Sequence, residues 1–295
     1  MTTQLLIYET VVPVMFANHR HSSVDIGRNF AFSSKINSVP LTAIEFRDAQ
    51  SDYPIVFAGN KEGVMPAVIL GLREGENLYL SSDGKWDARY IPAFVRRYPF
   101  VFSKSEDEQR FLLCIDEQFS GFNGDGRGER LFSDDGKPTT YVENILKFLQ
   151  EYQLQFHRTE RFCKKILDLD LLEPMQAQVE MNSGEKYSLG GFMAVNREKL
   201  KELPGDKLAE LAKTDELELI YLHLQSMRNF GALKDRLGLA RAEKIASIPD
   251  SDASIPDSDE APIADQDDVD VKEKRSRKPA PKSANGSRAR SAVLE

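Results

Sequence analysis

The chain contains 295 residues, and 41% of them are hydrophobic, which is enough for one large domain or two small ones with an apolar core. Its formal net charge is −8 at pH 7, whereas a non-specific nucleic-acid-binding protein is normally basic. The apolar runs are much shorter than the roughly 20 residues of a membrane-spanning helix. These properties exclude a membrane permease and argue against general nucleic-acid binding.

The N-terminal segment and the cysteines bear on the cellular compartment. The first residues lack the basic region and the cleavage site of a secretory signal. Cys114 and Cys163 each lie in an apolar or amphipathic run, and neither has a neighbour at the spacing of a metal or redox motif. We therefore expect a cytoplasmic protein with two reduced, buried thiols.

The N-terminal part of the chain reads mainly as extended structure. The patterns at residues 4–8 and 11–14 indicate strand, and a polar loop with His19 and His21 follows. An H-x-H pair can bind a metal when a third ligand lies nearby, but the sequence offers no matching cluster, so we expect a loop without metal. Further strands are predicted at residues 53–57, 64–72 and 77–80.

Residues 87–98 predict a short helix that carries two adjacent arginines. Asp87 is a suitable N-cap, and Pro99 is expected to end the helix. The apolar residues of the segment recur at helical spacing, which places Arg96 and Arg97 beside the apolar stripe.

The second half of the chain contains more helix. The glycine-rich residues 121–128 lack the Lys-Ser/Thr ending of a phosphate-binding loop, so we interpret them as a surface loop. Thr140 and Glu143 have the spacing of a capping box, which predicts the start of the longest helix, ending near residue 168. Antiparallel strands are predicted at 100–102 with 111–115 and at 176–181 with 185–189, and another strand at 190–195. Helices are predicted at 197–203, with Asn196 as the cap, from 206, and at 217–237, where His223 lies on the apolar stripe and is expected in the core.

The composition changes after about residue 241. The sequence S-I-P-D-S-D occurs at 247–252 and again at 254–259, and a basic segment begins at Lys272 and ends at Arg290. Few aromatic residues and many Pro, Ser and Ala leave too little apolar surface for an ordered structure. We therefore divide the chain into a globular domain, residues 1–240, and a disordered acidic-then-basic tail, residues 241–295.

The arginine pair is the strongest candidate for a binding site, because guanidinium groups bind carboxylate and phosphate and neighbouring aromatic rings can shape a pocket. The alternative is that both arginines form structural salt bridges with Asp116 or Glu117. The candidate ligand-binding residues are Trp86, Tyr90, Arg96, Arg97, Tyr98 and Asp116.

The sequence contains no recognisable catalytic motif. Asp116 could transfer protons if burial shifts its pKa, whereas Cys114 has no histidine base nearby in sequence and is expected in the core. These patterns assign no catalytic residue, and we expect neither a cofactor nor a metal.

Several segments, in order, give the chain a family resemblance. They are VPVMFANHRH, ILGLREGENLYLSSDGKWDARYIPAFVRRYPFVF, FLLCIDE, LDLLEPMQAQVE, LGGFMAVNREKL and LIYLHLQSMRNF. Their order and spacing resemble the SapC family of bacterial proteins from about residue 4 to residue 237. The resemblance implies a link to a bacterial surface layer or envelope system, and it assigns no catalytic residue.

Three functional hypotheses remain open. The first is a soluble accessory or interaction protein with a protein partner. The second is an enzyme or enzyme subunit acting on a carboxylate- or amine-bearing small molecule or peptide, with Arg96 or Arg97 holding the anion and Asp116 or Tyr98 moving a proton. The third is contact with nucleic acid through the basic tail, from Lys272 to Arg290.

The expected fold is α+β. We predict a twisted, mostly antiparallel sheet on which the helices at residues 140–168 and 217–237 pack, followed by the disordered tail.

Overall fold

The structure is a computed structural model, and it describes residues 6–60, 62–104, 110–181 and 183–246. Within these residues the fold is α+β, and all strand pairs are antiparallel. The predicted fold class is therefore confirmed. The acidic repeats and the basic segment of the predicted tail lie outside the described residues.

The strands form three sheets in the described part of the chain. Their bounds are β1 (Val11–Pro13), β2 (Ser23–Val24), β3 (Ser38–Pro40), β4 (Ile55–Asn60), β5 (Gly63–Ile69), β6 (Phe100–Lys104), β7 (Phe111–Asp116), β8 (Phe122–Asn123), β9 (Glu129–Arg130), β10 (Leu172–Glu180) and β11 (Lys186–Val195). The largest sheet has the order β10-β11-β4-β5-β3, and the two others have the orders β1-β7-β6 and β8-β2-β9.

The helices are α1 (Phe16–His19), α2 (Phe46–Ala49), α3 (Ala93–Arg96), α4 (Thr140–Asp168), α5 (Arg197–Lys201), α6 (Gly205–Lys213), α7 (Glu216–Ser226) and α8 (Asn229–Ala246). The long helix α4 packs against β5, β6 and the 3-10 turn at residues 43–45. Its apolar face is buried, as the helical spacing of its apolar residues predicts.

His223 of α7 fills a gap between two strands of the largest sheet. β11 pairs with β4 only at Phe57 and Ala58, so the backbone groups of Ile55 need other partners. Nδ1 of His223 donates to the Ile55 carbonyl (2.8 Å), and the Ser226 hydroxyl accepts from the Ile55 amide (2.9 Å). Side chains of a helix thus replace a missing strand partner, and His223 is a core residue, as the sequence predicted.

Several local predictions were correct. β6 and β7 pair antiparallel, with Val101 opposite Cys114. β10 and β11 form the predicted hairpin. Asn196 caps α5, because its side-chain oxygen accepts from the amides of Glu198 (2.9 Å) and Lys199 (3.0 Å).

The helix predicted at residues 87–98 is wrong in length. α3 begins only at Ala93, because Pro92 has an extended ψ of 140°. Proline also disfavours helical backbone at the residue before it, here Ile91. The strand predicted at residues 77–80 is reduced to a single bridge between Leu80 and Trp86.

One further helix prediction differs from the structure, whereas α4 has the predicted bounds and differs only in its cap. The helix predicted at residues 217–237 is divided into α7 and α8 by a break beside Asn229, whose side chain donates to the carbonyls of Gln50 (2.8 Å) and Tyr53 (2.9 Å). At the start of α4 the N-cap is Thr139, and the hydroxyl of this residue donates to the Arg130 carbonyl (2.7 Å). Thr140 is thus the first helical residue, and because the Thr139 side chain makes no capping hydrogen bond, the predicted capping box is wrong.

Candidate functional site

The two arginines at the C-terminal end of helix α3 lie in different environments. Successive residues of a helix point about 100° apart, so Arg96 and Arg97 cannot face the same way. Arg96 is exposed, whereas Arg97 is only 9% exposed. The pair is therefore not one double-headed anion receptor.

The buried guanidinium group of Arg97 is surrounded by aromatic rings. Its carbon lies 4.2 Å from the ring centroid of Phe94, 5.1 Å from that of Tyr152 and 5.7 Å from that of Tyr8. Cation–π attraction is stronger in such a desolvated setting than at the surface. Burial raises the pKa of Tyr8 to about 12, while the positive charge of Arg97 opposes that shift.

Arg96 is held at the surface by neighbouring groups. Its Nε donates to the Ile91 carbonyl (3.0 Å), and one terminal nitrogen donates to the Tyr90 hydroxyl (3.3 Å). Its guanidinium carbon lies 5.7 Å from the Tyr90 ring centroid and 5.4 Å from that of Phe148. Arg96 and Arg97 thus contact rings one turn apart on α4, Phe148 and Tyr152.

Asp116 is fully buried, and both of its oxygens accept hydrogen bonds from the fold. Oδ2 accepts from the amide of Glu9 (2.8 Å) and from the Tyr98 hydroxyl (3.3 Å). Oδ1 accepts from the amides of Thr10 (3.0 Å) and Gln118 (3.1 Å). The carboxylate therefore holds the segment before β1 against the end of β7.

Tyr98 also has its polar group inside the protein. Burial, and next the negative charge of Asp116, raise the pKa of the Tyr98 hydroxyl above its usual range. Its ring stacks on Phe32 with centroids 4.2 Å apart and meets the Tyr8 ring edge-on at 5.2 Å. Tyr98 therefore remains a neutral hydrogen-bond donor at physiological pH.

Trp86 is linked to Tyr90 through a residue that sequence reasoning missed. Its indole N–H donates to the Tyr53 hydroxyl (2.7 Å), and that hydroxyl donates to the Tyr90 carbonyl. The Trp86 ring meets Phe30 edge-on at 5.8 Å. The structure thus brings Trp86, Tyr90 and Arg96 into one hydrogen-bonded chain.

The remaining candidates form a second group on the buried side of α3. Arg97 contacts Tyr8, whose ring lies against Tyr98, and Tyr98 donates to Asp116. Candidate residues from one short stretch are thus divided between two environments.

Glu45 connects α3 to the rest of the fold, and the sequence analysis did not single it out. This residue is 3% exposed. Oε1 accepts from the Tyr90 hydroxyl (2.8 Å) and the Ala93 amide (2.7 Å), and Oε2 accepts from the amide and hydroxyl of Thr42 (both 2.8 Å). The T-x-x-E spacing of Thr42 and Glu45 is a capping-box signal that could have found it.

The histidine pair lies differently from the predicted loop. His19 ends helix α1 and is buried, and its Nε2 lies 3.1 Å from Oε1 of Glu117. His21 is exposed. Among the described residues no group of histidine, cysteine and carboxylate side chains could hold a metal ion.

Both cysteines are buried, as predicted. Burial raises the pKa of the Cys163 thiol to about 12 and also raises that of Cys114. A nucleophilic thiol requires the opposite shift.

The structure contains cavities away from the candidate residues. One of about 820 Å³ opens between α4 and α7, one of about 620 Å³ lies beside Cys163 and Lys164, and one of about 330 Å³ lies at the turn around Asp83. None of these three is lined by any of the six candidate residues. Whether those residues bind a ligand stays a prediction.

The sequence model of the SapC family matches residues 16–233, which is most of the chain. The chain belongs to the SapC family. No curated protein and no solved structure matches this SapC-family chain. None of its helices, within the described residues, has the length and apolar character that a membrane crossing requires.

Proposed function

We propose that this SapC-family protein is an accessory or interaction protein of a bacterial surface-layer or envelope system, and that it acts by binding another protein. The observation that carries the proposal is the internal use of the candidate polar groups. Asp116 accepts from three backbone amides and from Tyr98, and the Trp86 indole donates to Tyr53. Groups held in this way stabilise a fold more readily than they move protons.

The environments of the thiols and of the buried histidine also support this proposal. An activated nucleophile needs a lowered pKa or an adjacent base, whereas burial raises the pKa of Cys163 to about 12. Burial lowers the pKa of His223 to about 4, and both ring nitrogens contact backbone groups. The imidazole therefore has no free nitrogen for catalysis.

One observation favours a second candidate function. The Arg96 guanidinium group is exposed and lies over the rings of Tyr90 and Phe148. An arginine in this setting can bind the carboxylate of a small molecule or peptide. Binding of such a ligand, and with it an enzymatic role, is therefore the alternative to the accessory function.

Affinity capture from the native cell tests both functions. The full chain and a chain ending at residue 246 serve as bait, and bound proteins, nucleic acid and small molecules are identified by mass spectrometry and absorbance. The accessory function predicts that both baits retain the same surface-layer or envelope protein. Nucleic acid retained only by the full chain would instead assign binding to the tail.

A matched pair of variants decides between the protein partner and the small molecule. Arg96→Ala removes the exposed guanidinium group over the two rings, and Arg89→Ala removes another exposed arginine, whose partner is Asp52. A stoichiometric carboxylate ligand that Arg96→Ala loses and Arg89→Ala keeps, with no envelope protein retained, would overturn the accessory function.

A further inference from the structure

We propose that the groove between α4 and α7 is the surface through which two copies of this chain associate. The floor is the segment of residues 43–49. It is held to α4 where the Ala43 amide donates to the Thr159 hydroxyl (2.8 Å), and to α7 where Arg47 pairs with Glu218 (2.8 Å). The cavity of about 820 Å³ opens over this floor. Self-association goes beyond the proposed function, because it needs no other protein.

The two sides of the groove carry opposite charge. On the α4 side the charged lining residues are all basic, namely Arg158, Arg161 and Lys165. On the α7 side they are all acidic, namely Asp215, Glu216 and Glu218, while the floor contributes one residue of each sign, Arg47 and Asp48. We call these the basic side and the acidic side.

Part of this charge is not neutralised by other residues that the structure describes. Arg158 and Arg161 on the basic side are exposed and make no ion pair with other described residues, and the same is true of Asp48 and Asp215. In contrast, Lys165 pairs with Glu216 (2.6 Å) and with Glu210 (3.2 Å). The groove therefore offers charge of both signs that has no ion-pair partner among the described residues.

An apolar strip lies between the two sides. Ile44 stands on the floor with 62% of its surface exposed, and Phe162, Leu219 and Leu222 line the cavity beside it. An exposed isoleucine alone is ordinary. An apolar strip with a charged rim on each side, however, has the layout of a protein–protein interface.

The charge pattern identifies a second copy as the occupant. A two-fold axis running along the groove places the basic side of each copy over the acidic side of its partner, so unlike charges meet twice. The same axis brings the two Ile44 side chains together. A partner of uniform charge would instead meet one side of its own sign, which costs binding energy.

Charge reversal on one side at a time tests the proposal on the full chain. Arg158→Glu with Arg161→Glu gives the basic side a net negative charge, and Asp215→Lys with Glu218→Lys gives the acidic side a net positive charge. Sedimentation velocity over a range of concentrations should show a wild-type dimer, and each double variant should raise the dissociation constant about ten-fold or more. An equimolar mixture of the two variants should associate again, because the altered sides are complementary.

The control makes the same charge change as Arg158→Glu with Arg161→Glu, but away from the groove. Lys147→Glu with Arg228→Glu alters two exposed residues that do not line the cavity, and it should dimerise as the wild type does. The proposal is overturned if the wild type stays monomeric at all concentrations, if either groove variant dimerises normally, or if the mixture fails to associate.

Cross-linking at the floor gives a second readout. Ile44→Cys places an exposed thiol near the two-fold axis, while Cys114 and Cys163 are buried. A short bismaleimide should link two copies of this variant, and adding Arg158→Glu with Arg161→Glu should abolish the linkage. Equal cross-linking with and without the charge reversals would place the contact elsewhere and overturn the proposal.

Discussion

Nε2 of His223 lies 3.0 Å from the amide nitrogen of Val195 and accepts its hydrogen. Nδ1 of the same ring donates to the Ile55 carbonyl at 2.8 Å. The ring therefore joins β11 to β4 beyond the point where the two strands pair directly. This arrangement requires a neutral imidazole, since a protonated ring has no acceptor nitrogen for Val195.

The first prediction concerns the stability of the fold in acid. Burial lowers the pKa of His223 from 6.5 to about 4, so between these values the unfolded chain takes up a proton that the native protein does not. Stability is therefore lost as pH falls through this window, by about 3 kcal/mol from this residue. Urea unfolding at a series of pH values measures the loss.

His223→Gln isolates this contribution. A glutamine amide can accept from Val195 and donate to Ile55, but it does not titrate. The variant should be less stable at neutral pH and should lose less stability than the wild type between pH 6.5 and 4. Parallel pH profiles for the two proteins would contradict the assignment of this loss to His223.

The second prediction concerns the buried carboxylate of the candidate site. Asp116→Asn replaces one acceptor oxygen by an amide donor among three backbone N–H groups and the Tyr98 hydroxyl. A buried N–H would lose its acceptor, and the free energy of unfolding should fall by about 2 to 4 kcal/mol. Asp134→Asn, at an exposed carboxylate, is the control and should leave the urea midpoint unchanged. Wild-type stability in Asp116→Asn would contradict the structural role.

The correct sequence predictions were those governed by local patterns. Alternation and turn residues indicated the β6–β7 pair and the β10–β11 hairpin, and Asn196 was recognised as a cap from its position before α5. The helix predicted at residues 87–98 was too long because we gave its apolar spacing more weight than Pro92, although proline disfavours helical backbone at the residue before it. Local rules succeed where the partner groups are close in sequence.

The environment of the arginine pair could not be predicted in the same way. The rings that contact Arg96 and Arg97 include Phe148, Tyr152 and Tyr8, all more than 50 positions away in the chain. Adjacent helical positions are known to diverge, but which arginine becomes buried depends on where α4 packs. A single sequence, without information on long-range contacts, does not reveal where α4 packs against α3.

The third prediction concerns the two thiols. Because Cys114 and Cys163 are buried and their pKa values are raised, neither forms much thiolate at pH 8. Ellman's reagent should therefore react with neither thiol in the native protein and with both after unfolding in guanidinium chloride. Rapid reaction of one thiol in the native protein would show local opening around it, and the Cys163→Ala and Cys114→Ala variants would identify which residue reacts.

The fourth prediction compares the two arginines through the same substitution. Lysine keeps the positive charge but loses the planar group that stacks on aromatic rings. At the buried position, Arg97→Lys leaves the rings of Phe94, Tyr152 and Tyr8 without that contact, so the free energy of unfolding should fall by about 1 to 3 kcal/mol. Urea denaturation followed by tyrosine fluorescence and circular dichroism measures the change.

Arg96→Lys is the matched control on the adjacent residue. Arg96 is exposed, and its contacts with Tyr90 and Phe148 are accessible to water. Its replacement by lysine should therefore leave the urea midpoint close to that of the wild type. The expected order of stability is wild type, then Arg96→Lys close behind it, then Arg97→Lys clearly lower. Equal losses of unfolding free energy at the two positions would mean that the stabilisation from stacking on the α4 rings does not depend on burial. That result would contradict the division of the pair into a surface arginine and a core arginine.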